Sequence, residues 1–96
     1  MPKTYWYYQI WIGSENFGKF SAYYEYSGIP LSEAIYRAKR SYWDDGVDYP
    51  IREPNWNDLN EIDFYVSKVM RSQSEIQTIY TESCQKSLEQ VVQEVS

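Results

Sequence analysis

Residues 4–26 read TYWYYQIWIGSENFGKFSAYYEY, and this stretch decides the fold. It opens on Tyr5, Trp6, Tyr7, Tyr8, Ile10, Trp11 and Ile12, ring and β-branched side chains that suit a pleated surface. Trp6, Tyr8, Ile10 and Ile12 form the more apolar face; Tyr5, Tyr7, Gln9 and Trp11 form an amphipathic one. Gly13-Ser14-Glu15-Asn16 reads as a turn, with Gly18 just beyond. Lys19 to Tyr26 then alternates: Phe20, Ala22, Tyr24 and Tyr26 on one side, Lys19, Ser21, Tyr23 and Glu25 on the other. Two such runs around a short glycine-containing connection predict a β-hairpin.

Downstream the period changes from two to 3.6. Leu31, Ala34, Ile35, Ala38 and Tyr42 fall on one helical face, Pro30 suits a helix start, and Glu33 and Arg37 form an i,i+4 pair. Asp44-Asp45-Gly46 should end this helix near Trp43. Residues 44–60 carry Gly46, Pro50, Pro54, Asn55, Asn57 and Asn60 and predict a long connection. Ile62 to Met70 alternates again as a third strand, with a short helix from Leu59 as the rival reading. Ser72-Gln73-Ser74-Glu75 fits a capping box. Behind it Ile76, Ile79, Tyr80, Cys84, Leu88, Val91, Val92 and Val95 mark the stripe of a final helix. The expectation is one α+β domain spanning residues 1–96: a small antiparallel sheet in β-β-α-β-α order with helices packed on one face.

The 96 residues include eleven Tyr, four Trp and three Phe, so large rings supply much of a small core. There are 14 acidic and nine basic residues, a net charge of −5. That balance argues against direct binding to a nucleic-acid backbone, which needs a basic face. No run is apolar enough to span a membrane. The single cysteine, Cys84, excludes an intrachain disulfide and sits on the apolar stripe as a core side chain. The N-terminal residues lack a signal-peptide pattern, so the expected location is cytoplasmic, or host cytoplasm for a viral protein.

The acidic charge is concentrated. Asp44, Asp45, Asp48, Glu53, Asp58, Glu61 and Asp63 lie in one stretch with a single base, Arg52, giving −6 where the whole chain carries −5. Within or directly beside this stretch lie Tyr42, Trp43, Tyr49, Trp56 and Phe64. Clustered carboxylates attract basic surfaces, and rings supply contact area. Trp43, Tyr49 and Trp56 are the expected anchors, and Asp44, Asp45, Asp48, Asp58, Glu61 and Asp63 the steering charges.

Catalytic signatures are missing from the sequence. With no histidine there is no Ser-His or Cys-His pair and no Cys/His zinc site, and neither a P-loop nor a dinucleotide fingerprint is present. Asp44-Asp45-Gly46-Val47-Asp48 fails the calcium-loop spacing, because Gly46 at position six puts Arg52 at position twelve. The expectation is a protein without enzymatic activity, cofactor or metal.

Two other surfaces remain open. The hairpin rings Tyr5, Tyr7, Trp11 and Tyr23 could line a pocket for a planar ligand such as a nucleotide, with Arg37 and Arg40 reaching its phosphates. The same open ring face could make a homodimeric structural or assembly protein. Arg37, Lys39 and Arg40 also suit the C-terminal half of their helix, where the macrodipole favours cations.

A short, acidic, histidine-free and ring-rich chain resembles in composition the small inhibitors that phages and mobile elements use against host machinery. The resemblance rests on no motif and transfers no residue. It implies a stoichiometric binder of a basic protein or nucleic-acid-binding complex, in the manner of anti-CRISPR proteins and other DNA mimics.

Overall fold

β1 (Trp6–Ser14) is the spine of a five-stranded antiparallel sheet. The computed structural model describes residues 3–16, 18–46, 55–79 and 85–95. One edge of β1 pairs with β2 (Lys19–Tyr26) from Tyr7↔Tyr26 to Ser14↔Lys19, the predicted hairpin. Its turn closes through the Gly18 N–H, which donates to the Ser14 carbonyl at 2.9 Å, with Gly18 at φ 67°. Glycine takes that left-handed conformation without a steric penalty. Gly13 serves a different need: a Cβ there would run into the Lys19 carbonyl oxygen across the ladder.

α1 (Leu31–Gly46) follows, then α2 (Trp56–Asn60) and β3 (Asp63–Val66). β3 pairs with the other edge of β1, and β4 (Arg71–Ser72) pairs with that edge nearer its start. α3 (Gln73–Ile79), β5 (Gln85–Ser87) and α4 (Leu88–Val95) complete the order, with β5 pairing to the start of β2. The α+β class and the antiparallel sheet are as patterned in the sequence.

Helices cover both faces of the sheet. Ile10 and Ile12 pack with Ala34, Ala38, Leu59 and Ile62, so α1 and α2 form a helical layer on the more apolar, even-numbered face of β1. The two alanines, fully buried, let the α1 backbone approach the strands closely. On the reverse face Trp11, Phe20 and Ala22 pack with Val91 of α4. This second layer follows from β1 itself: Gln9 to Gly13 are all buried, and a strand apolar on both faces needs a cover on each.

Three elements differ from their sequence reading. The third strand stops at Val66, where the chain bends and the Val69 N–H donates to the Ser67 hydroxyl at 3.4 Å before β4 resumes the pairing. The expected long final helix is interrupted by β5. Ser72 does cap α3: its hydroxyl accepts from the Glu75 N–H at 3.4 Å and donates to the Glu75 carboxylate at 3.0 Å. A second box starts α4, with the Ser87 N–H donating to Gln90 Oε1 at 3.0 Å and the Gln90 N–H donating to Ser87 Oγ at 3.3 Å. A cap that satisfies orphan amides reciprocally starts a new helix here. Tyr80 and Cys84 lie outside the described residues. Third, the connection after Gly46 contains α2, which has its own box between Asn55 and Asp58.

Between the sheet and α4 runs a polar network. Buried Gln9 donates from Nε2 to the Tyr24 hydroxyl at 2.9 Å and accepts on Oε1 from Arg71 Nε at 3.2 Å. Arg71 also pairs with Glu75 and Glu94, each at 3.5 Å, and Glu94 pairs in turn with Lys86. One guanidinium thereby ties β1, α3 and α4 together.

Among the described residues no helix is long and apolar enough to cross a membrane.

Candidate functional site

The acidic stretch is divided by the fold. Asp44 and Asp45 are exposed near the end of α1, and Asp45 accepts from the Tyr23 hydroxyl at 3.3 Å. Asp58 is used locally: it accepts the Asn55 N–H at 3.0 Å, while its own N–H donates to Asn55 Oδ1 at 2.9 Å. Asp63 accepts the Glu15 N–H at 2.9 Å and pins the hairpin turn to β3. Glu61 is exposed at the C-terminal end of α2. Asp48 and Tyr49 lie outside the described residues.

The expected anchors separate as well. Trp43 is partly buried against the α1-side core. Trp56 is 71% exposed, the most open large hydrophobic side chain among the described residues. It sits in the first turn of α2, whose capping box fixes the backbone that carries it. Its ring stacks obliquely on Tyr36, with centroids 5.7 Å apart and planes at 42°. One helical step along α1, the Lys39 ammonium lies 4.9 Å from the centroid of Phe64. Burial pushes the Lys39 pKa down, with the Asp63 charge opposing. Residues three apart share a helix face, so Tyr36 and Lys39 bring Trp56 and Phe64 to the same side of the molecule.

The result is a ledge of Trp56, Tyr36 and Phe64, with Asp58 and Glu61 contributed by the same short helix as Trp56. Phe64 belongs to the rings noted with the acidic stretch, whereas Tyr36 was not expected among the contact residues. Their signal was the i,i+3 spacing of Tyr36 and Lys39 and the even-face position of Phe64 in a strand whose partner face was already covered.

The alternative ligand face does not assemble as one site. Register places Tyr23 opposite Ile10, on the α1 side, where it contacts Asp45. Trp11 is 2% exposed beneath α4, with the Lys86 ammonium 5.1 Å from its ring centroid. Arg37 and Arg40 ride on α1, and Arg37 pairs with Glu33 at 2.9 Å as the sequence spacing predicted. Both partners of that pair are half-exposed, so it adds little stability. Across β2, burial raises the Glu25 pKa, with Arg37 opposing.

Tyr5 and Tyr7 do come together. With Tyr26 and Gln73 they line a cleft of about 360 Å³ on the reverse face. Among the described residues no three His, Cys, Asp or Glu side chains converge as a metal-binding group. No family model matches the chain, and no curated protein or solved structure matches it significantly.

Proposed function

We propose that this chain is a non-enzymatic protein-binding module that docks a basic partner on the Trp56 ledge. The observation that carries the reading is Trp56: a tryptophan 71% exposed, stacked on Tyr36 and held on a capped helix. Exposing so much ring costs free energy in isolation, and tryptophan heads the residues that dominate binding energy at interfaces. Asp58 and Glu61 beside it, with Asp44 at the end of α1, supply a field that favours lysine- and arginine-rich surfaces.

The finer form of the proposal is an inhibitor that occupies the phosphate-binding surface of a nucleic-acid-handling complex, a defence complex in particular, by charge mimicry. The net charge of −5 and the acidic excess between Asp44 and Asp63 support it.

The test is affinity capture from a lysate with the intact protein at low and high salt, repeated with Trp56→Ala and with Asp44→Lys/Glu61→Lys. Asp44 and Glu61 are chosen because Asp45, Asp58 and Asp63 also hold the fold together. The expected result is a salt-sensitive, nucleic-acid-binding protein retained by the wild type and lost from both variants while both stay folded. Retention of the same partner by both variants overturns the ledge.

A further inference from the structure

The cleft on the reverse face has walls of an unusual kind. Tyr26 stands edge-on to Tyr5 and to Tyr7, with centroids 6.0 Å apart in each pair and planes inclined at 64° and 62°. With Gln73 these rings line the cleft, and among the described residues no charged side chain lines it. Tyr5 and Tyr26 are each 45% exposed. The corner is built into the fold: Tyr7 and Tyr26 are ladder partners, and the Tyr26 ring lies over Gly28, where any Cβ would collide with it.

Ring orientation decides what such a cleft accepts. A planar nucleobase needs parallel faces to lie between, and these walls meet at steep angles. The bases that could hold a phosphate, Arg37 and Arg40, ride on the helix of the opposite face. Steeply inclined rings instead enclose a compact, rounded group. Their electron-rich faces attract a cation, and a methylated ammonium suits them best because it sheds water easily. Three of the described cations are engaged elsewhere: Lys39 and Lys86 sit on Phe64 and Trp11, and Arg71 is held by Gln9, Glu75 and Glu94. Lys3 lines a neighbouring cleft with Thr4 and Tyr5, where it is exposed and screened by solvent.

We infer that Tyr5, Tyr7 and Tyr26 form an aromatic cage for a methylated ammonium group. This site lies on the sheet face opposite the Trp56 ledge, and the two readings succeed or fail separately.

The test titrates the intact protein with choline, with a peptide carrying trimethyl-lysine, with the same peptide unmethylated, and with 3,3-dimethylbutan-1-ol, the neutral isostere of choline. Tyrosine ring resonances and calorimetry report binding. Choline or the trimethylated peptide should shift the resonances of Tyr5, Tyr7 and Tyr26 and bind at least about tenfold tighter than the isostere or the unmethylated peptide. A preference for choline would assign the cage to a free small molecule, and a preference for the peptide to a modified protein segment. Tyr5→Leu should weaken binding about tenfold, while Tyr5→Phe, which keeps the ring face, should retain it. Tyr5 precedes β1 and is exposed, so both variants leave the fold intact. Equal binding of choline and its isostere, or no shift at the three rings with either cation, overturns the cage.

Discussion

Trp56 leans on Tyr36 with ring centroids 5.7 Å apart, an arrangement that holds one edge of the indole and leaves 71% of the residue in solvent. The pair joins α2 to α1, yet most of the Trp56 surface stays exposed. Such a contact orients a ring more than it stabilises a fold.

Trp56→Ala therefore separates binding from stability. Loss of one exposed ring pair costs about 1 kcal/mol or less. As an interface anchor the same side chain contributes about 2 kcal/mol or more, which is over tenfold in affinity. Thermal melting of the variant beside a binding curve for the captured partner reads both quantities. A large fall in melting temperature would make Trp56 a structural residue and remove the main support for the ledge.

The two glycines of the hairpin should respond oppositely to substitution. A side chain at Gly13 meets the Lys19 backbone, which cannot move without breaking the ladder, so Gly13→Ala should destabilise strongly or prevent folding. Gly18 has open space around its Cβ position but φ 67°. Gly18→Asn should be nearly neutral, because asparagine tolerates that region, and Gly18→Ala should cost about 1 kcal/mol. Denaturant titrations of the three variants rank them directly.

The hairpin, the first helix and the α+β class were legible because their signals are local. Alternation fixes faces, and the Leu31–Tyr42 spacing fixes a helix. The second helical layer was harder to see. Trp11 sits among polar neighbours in its face pattern, and only the ladder to β3 and the packing of Val91 show that this side is also core. The interrupted final helix had a readable signal in Ser87-Leu88-Glu89-Gln90, a second capping box inside a continuous apolar stripe. Periodicity outweighed it because an apolar stripe does not reveal that its two halves pack on different elements. The acidic stretch was legible as charge only. Asp58 caps α2 through Asn55, three residues away, but whether a carboxylate holds a turn or faces solvent depends on partners distant in sequence, such as Glu15 for Asp63.

The polar network under α4 predicts a stability cost that exceeds its exposure. Arg71 bridges Gln9, Glu75 and Glu94, and its side chain is 28% exposed. Arg71→Met removes donors from a buried amide and two carboxylates together, so about 1–3 kcal/mol should be lost. Glu94→Gln keeps the shape but loses the charge facing Arg71 and Lys86, and should cost less. Equilibrium unfolding of both variants and of the double variant measures their coupling. Strict additivity would show that the contacts act singly.

Tyr65 gives the fold a pH signature in the alkaline range. Its hydroxyl donates to the Glu15 carboxylate, and this bond, with lesser contributions from burial and from the Glu15 and Asp63 charges, raises the phenol pKa above its ordinary value. The folded state thus holds the proton more tightly than the unfolded chain does. The bond's contribution is fully present below the ordinary phenol pKa of about 10 and is lost as pH rises through the higher folded value. Tyr65→Phe should be less stable than the wild type near neutral pH, and the gap should close as the solution becomes strongly alkaline. The edge-to-face contact with Phe20, at 5.5 Å between centroids, survives in the variant and so does not enter the difference. Melting temperatures of the two proteins across that range decide the matter. A gap that stays constant with pH would mean that the hydroxyl contributes through packing rather than through the proton it shares with Glu15.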